Sequence, residues 1–304
     1  MSTARTRDTI SECISQAQSG SNEAKERALQ TLAKITKVSP LNRSLLAQAD
    51  GAIPAFLRLT ESDSPVVRAL SLSILFNLSL NPDLKRPLAD METINRLNSI
   101  ILSPSSPESS RLAASLVCSL AMLDKNKAKF GVAGTVQALI KAISGPNSAA
   151  SHHLLSSLAE LVQFHGNCTL AVRSGAVPML LGLLASTDGE DLVGTSLAIL
   201  GLLARFNEGL NALIRTDKIV VSMMDVLKGR CMLSKEGAAE ILVRLFDESE
   251  GCTREALRLP EFSTVLADLS VRGSARAREK ASFLMRRWME GDTYADGNQL
   301  LLQW

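Results

Sequence analysis

This sequence predicts an all-α fold, a right-handed superhelical solenoid of about six three-helix repeats. The first observation behind that reading is a period. An apolar residue follows a turn at Ile53, Ile94, Val136, Val177, Ile219 and Phe262, with gaps of 41, 42, 41, 42 and 43 residues. The second is local identity across the period: Gly51-Ala-Ile-Pro54, Gly134-Thr-Val-Gln137 and Gly175-Ala-Val-Pro178 occupy matching places. The third is composition. Apolar residues make up 46% of the 304-residue chain and aromatics only 4%, which suits Leu/Ala/Val helix packing and not strand-built cores.

The clearest unit justifies its elements in order. Asn42–Ala49 reads as a short first helix, and Gly51 makes the bend after it, because glycine tolerates the positive φ that closes a helix. Pro54 sits in the first turn of a second helix over Ile53–Glu61, where its missing N–H costs nothing. Ser64 caps a third helix with Pro65 at its first position. That helix runs to about Ser79 and carries Val66, Val67, Leu70, Ile74, Leu75 and Leu78 at helical spacing. Pro107 repeats Pro65 at 42 residues. The remaining units span 83–122, 125–163, 166–205, 207–247 and 251–289, and Glu23–Val38 is the third helix of an incomplete opening unit. Domain limits are read as a loosely ordered segment 1–20, a solenoid over 21–290, and a tail 291–304 that packs on the last repeat.

Charge and cysteine usage narrow the function. Thirty-three basic against 31 acidic residues leave a formal charge of +2, which gives no electrostatic case for a nucleic-acid partner. Five scattered cysteines without a CxxC pair suit reduced, buried thiols of a cytoplasmic or nuclear protein. The polar amino terminus lacks the apolar run of a secretory signal, and no apolar stretch reaches the roughly 18 residues of a membrane span.

The stretch Asn42–Arg86, the GAIP turn, the NLSLN end of the third helix and SARAREKASFLMRRW at 274–288 carry a resemblance. They look like the armadillo region of plant U-box ubiquitin ligases and their armadillo-only relatives, over about 22–289. The resemblance implies a binding scaffold and no enzyme. Only some twenty polar residues precede the first armadillo helix, so no U-box is expected, and the chain reads as an adaptor or substrate-recognition part. A ligase that borrows a partner's U-box is the related alternative.

In that superfamily third helices line a concave face, so equivalent positions form a ladder. Lys34, Asn77, Ser119, Glu160, Gly201, Arg244 and Arg286 are equivalent by spacing, and Ser73, Ser115, Ser156, Leu197 and Glu240 lie one turn earlier. Nuclear-import adaptors, as the resemblance has it, repeat an Asn here to clamp an extended peptide, and an amide suits that role because it both donates and accepts. This chain has one such Asn, Asn77, and none of the accompanying Trp residues, which counts against an import-type receptor for basic peptides. The expected partner is another protein, as peptide or folded domain, in the groove.

Other constellations carry less. His152 and His153 point about 100° apart on a helix and do not chelate together, so no metal site, cofactor or small-molecule substrate is expected. Nucleophilic chemistry needs a Ser or Cys beside a base, and no GxSxG, HExxH or GxxxxGK[ST] pattern occurs. The carboxylates of Asp188-Gly-Glu-Asp191 precede a helix whose dipole they complement. Arg272, Arg276, Arg278, Lys280, Arg286 and Arg287 against Glu279 form a basic patch, read as the solvated face of a closing helix.

Overall fold

The computed structural model describes residues 3–103, 106–145, 150–185 and 190–301, with Thr3, Glu190 and 291–301 as backbone alone. Among the described residues all regular structure is helical. An opening pair, α1 (Thr3–Ser19) and α2 (Asn22–Val38), precedes six triplets. These are α3 (Pro40–Ala47), α4 (Ala52–Leu59) and α5 (Pro65–Ser79), then α6 (Pro82–Leu88), α7 (Met91–Leu102) and α8 (Pro107–Ala121). Next come α9 (Asp124–Val132), α10 (Thr135–Ile143) and α11 (Ser151–Leu161), then α12 (His165–Arg173), α13 (Ala176–Ala185) and α14 (Glu190–Leu203). The last two triplets are α15 (Asn207–Ile214), α16 (Ile219–Lys228) and α17 (Met232–Glu248), then α18 (Glu250–Leu257), α19 (Phe262–Arg272) and α20 (Ala275–Leu301). The helices group into two compact bodies, 1–167 and 168–304.

Local chemistry sets the helix boundaries. Gly51, Gly134 and Gly175 adopt φ of 70°, 79° and 83° before α4, α10 and α13, so the glycines the period singled out do turn the chain. The next equivalent turn, before α16, is made by Lys218 at φ 61°, a non-glycine in the left-handed region. The third helices α5 and α8 start on serine caps. Ser64 accepts from the Val67 N–H ahead of Pro65, and Ser106 accepts from the Ser109 N–H ahead of Pro107.

Within the first body, α2 packs on α5, α5 on α8 and α8 on α11; within the second, α14 packs on α17 and α17 on α20. Five of the six period-marking residues, Ile94, Val136, Val177, Ile219 and Phe262, are buried. Each such side chain contributes about 1.5–3 kcal/mol on leaving water. Buried asparagines tie first helices together. Asn126 Nδ2 donates to Lys85 O at 2.9 Å and Leu120 O at 3.0 Å, and Asn167 Nδ2 to Lys127 O at 2.9 Å and Leu161 O at 3.0 Å. Each amide donates to two carbonyls, one at the end of the third helix just before it and one on the preceding first helix.

The opening segment differs from expectation. Within the segment expected to be loosely ordered, α1 occupies 3–19 and buries Ile10, Cys13, Ile14 and Ala17 against α2 and its neighbours. Those four positions follow i, i+3, i+4, i+7, the signature of one apolar helix face. The helix covers faces of α2, α3 and α4 that no third helix covers from that side. At the other end, the backbone of α20 continues past Glu290 to Leu301, so no helix boundary marks a tail at 291. The packing expected of 291–304 lies outside the described side chains, as do Asp188, Gly189 and the Glu190 side chain. Among the described residues no single helix is long and apolar enough to cross a membrane.

Candidate protein-binding face of the third helices

In the first body the predicted ladder separates into exposed residues and residues engaged inside the stack. Lys34 and Ser156 are exposed, and Ser73 and Ser115 are half-buried. The Ser115 and Ser156 hydroxyls donate to Arg111 O and His152 O one turn back on their own helices. Asn77 is different. It is 7% exposed, and its Nδ2 donates to Ala33 O at 3.2 Å and Thr36 Oγ1 at 3.1 Å on α2. The amide expected to clamp a peptide thus holds α5 to α2. The geometric cause is the tight approach of consecutive third helices, which lets a short amide reach the neighbouring backbone.

Ser119 is likewise an internal tie. It is buried, and its hydroxyl meets Ser79 Oγ at 2.8 Å between α8 and α5. Between α11 and α8 the same task falls to Ser157, whose hydroxyl donates to Ala114 O at 2.7 Å, while its neighbour Ser156 stays exposed. Glu160 is half-buried and pairs with the Lys127 ammonium at 2.9 Å, which also meets Asp124 at 2.8 Å and Gln163 Oε1 at 2.9 Å. Burial pulls Lys127 toward neutrality, yet the two carboxylates override it and hold its pKa above the ordinary lysine value.

In the second body Gly201 is half-buried, with nothing within 4 Å of where a Cβ would stand, and Leu197 is buried with its Cβ 3.4 Å from a Cβ built on Gly237. Glu240 bridges two cations: Arg244 one turn on at 3.1 Å and Lys280 of α20 at 2.9 Å. The Lys280 hydrogen bond, against the cost of desolvation, draws the Glu240 carboxyl below its usual range. These charges answer one another across the repeat interface.

The basic patch divides in the same way. Arg276, Arg278 and Arg286 are exposed, as the solvated-face reading has it. Lys280 and Arg287 instead reach back to α17, Arg287 approaching Asp247 at 3.7 Å, and Arg272 pairs with Asp268 at 3.3 Å. Of the histidines, His152 is exposed, and burial, followed by repulsion from Arg111 and His152, pushes His153 below the ordinary imidazole value. No group of three or more His, Cys, Asp or Glu side chains suited to a metal occurs among the described residues.

Alignment on Asn77 also missed a second register. Three residues past Asn77 and Ser119, and four past Lys34, exposed apolar residues recur at intervals of 42: Val38, Leu80 and Met122, at 82%, 46% and 64%, with Phe164 at 43% one residue out of step in the next repeat. The signal was in the sequence, but apolar residues at the ends of apolar helices look like core until burial is known.

These elements define an armadillo-repeat solenoid, and comparison with solved structures agrees. An engineered protein of known crystal structure matches with a TM-score of 0.77 at 18% identity, over 92% of this chain and 68% of its own. A designed armadillo repeat protein matches at a TM-score of 0.69 and 17% identity, over 78% and 99%. Another, solved in complex with the peptide (KR)4, matches at 0.70 and 16%, also over 78% and 99%. The profile of the plant U-box protein ARM repeat region matches residues 9–290, and the chain belongs to that family. U-box domain-containing protein 8 of Arabidopsis thaliana is 30% identical over 70% of this chain and 55% of that protein. U-box domain-containing protein 17 of the same plant is 26% identical over 91% of this chain and 38% of that protein. The chain therefore spans about half the length, or less, of these relatives.

Proposed function

We propose that the chain is a non-catalytic scaffold or adaptor that holds a partner protein along the exposed face of its third helices, within ubiquitin-linked signalling in the cytoplasm or nucleus. The observation that carries this reading is the side-by-side packing of α2, α5, α8 and α11, which sets equivalent positions in a row. A row of that kind suits a segment many residues long and gives a small substrate little to enclose it. Membership in the plant U-box ARM repeat family supports the ubiquitin link. An import-type receptor for basic peptides fits less well, although a designed neighbour holds (KR)4, because Asn77 is spent inside the stack.

Affinity capture followed by mass spectrometry tests the proposal, comparing the wild-type chain with a Lys34→Glu/Ser156→Arg variant altered only at exposed positions. Partners missing from the variant support the face. Identical partner sets reject it. Ubiquitin chains formed by the purified protein with conjugating enzyme alone would reject the non-catalytic reading.

A further inference from the structure

Two ladders run in parallel through the first body, and together they describe a ligand. The first is apolar: Val38, Leu80 and Met122, exposed and one per repeat, with exposed Phe164 one residue out of step beyond them. Their backbones are equivalent, each lying two residues before the first helix of the next triplet, α3, α6 and α9; in the fourth repeat Gln163 holds that place and Phe164 matches Leu123, both donating to a carbonyl three residues back. The second is basic and lies five residues on: Arg43, Lys85 and Lys127, again 42 apart. Arg43 Nη1 donates to Thr36 O at 3.1 Å and Lys85 Nζ to Ser119 O, so these cations sit at the carbonyl ends of third helices, where the helix dipole favours them. Lys127 has its own carboxylates. Arg43 and Lys85 have none within ion-pair distance among the described residues.

Exposed apolar side chains at a fixed interval call for a partner with the same interval. Packed helices lie about 8–10 Å apart. An extended chain advances about 3.3 Å per residue, so every third residue falls about 10 Å on. The charge is lopsided as well. Within five residues of the three apolar positions stand six basic residues against two acidic, and around Val38 there are Lys34, Lys37 and Arg43 with no acid.

We infer that this face docks an extended acidic peptide from another protein, with an apolar side chain at every third residue and carboxylates between. The carboxylates are densest at the end lying over Val38. The inference rests on the scaffold reading above and names the chemistry of what that scaffold holds.

Fluorescence anisotropy with the full chain tests it. The probes are labelled twelve-residue peptides of repeated Leu-Asp-Glu, the same with Lys-Arg in place of Asp-Glu, and an acidic peptide with leucine at every seventh residue. The acidic triplet peptide is expected to bind, to weaken as salt rises, and to lose at least tenfold in affinity on Leu80→Asp/Met122→Asp. Lys37→Glu should weaken it several-fold, while Val132→Asp, at an exposed apolar residue off the ladder, should leave it unchanged. Equal binding by the double variant, or preference for the basic or seven-spaced peptide, would overturn the inference. So would absence of binding by every peptide, in which case partner capture still decides the scaffold reading separately.

Discussion

Replacing Asn77 by alanine separates a structural asparagine from a ligand-binding one. The side chain is 7% exposed and makes two neutral hydrogen bonds, at 3.2 Å to Ala33 O and 3.1 Å to Thr36 Oγ1. The Thr36 hydroxyl keeps its own acceptor, Leu32 O at 2.8 Å, so the substitution strands no buried donor. Each neutral bond is worth about 0.5–1.5 kcal/mol net, which puts the loss at about 1–3 kcal/mol. For a body of this size each kcal/mol lowers Tm by about 2–4 °C. Urea unfolding followed by far-UV circular dichroism should show a lower midpoint at unchanged slope. Hydrogen exchange should speed up in α2 and α5 first, since the lost bonds join those helices. Partner binding by the folded fraction should be unaltered. A variant of wild-type stability that no longer binds its partner would refute the reasoning and return Asn77 to the groove.

Other perturbations follow from the same geometry. Gly175→Ala meets nothing within 4 Å, so its cost is the left-handed φ alone, about 1 kcal/mol, and Lys218→Gly should recover a similar amount; denaturation midpoints moving the opposite way would reject the turn analysis. Glu240 titrates below its unfolded value near 4.3 because Lys280 stabilises the carboxylate. Its contribution to stability is therefore complete above that unfolded value and lost as pH falls through the depressed one, a dependence that Lys280→Met should flatten in acid titrations of unfolding. Cys168 is fully buried, and desolvation raises its thiol to about 11, so iodoacetamide at pH 8 should label it only on unfolding. Ile14→Asp puts a charge at a buried position under α1 and should cost several kcal/mol of stability; a neutral result would mean α1 does not cap the stack.

The architecture was legible in the sequence because a repeat signals itself many times. The 41–43-residue period and the recurring Gly turns located most second helices, and Ser64-Pro65 fixed the start of α5. Helix α1 was missed because its apolar face, Ile10, Cys13, Ile14 and Ala17, is dilute among Ser, Thr and Gln. The face was less legible than the fold. Spacing put Asn77, Ser119 and Glu160 at equivalent positions, but it is silent on how near the next third helix lies. That distance decides whether a short polar side chain faces a ligand or its own neighbour. The exposed apolar ladder was hidden for the converse reason: periodicity alone gives a leucine on a helix no sign of whether the next repeat covers it.

The most direct test of the account is hydrogen–deuterium exchange on the chain alone and with a partner recovered by capture. Binding along the third helices predicts added protection at their C-terminal turns, around 34–38, 77–80, 115–122 and 156–164, with the second helices α4, α7 and α10 unchanged. Protection confined to those second helices, or to the exposed arginines of α20, would contradict it.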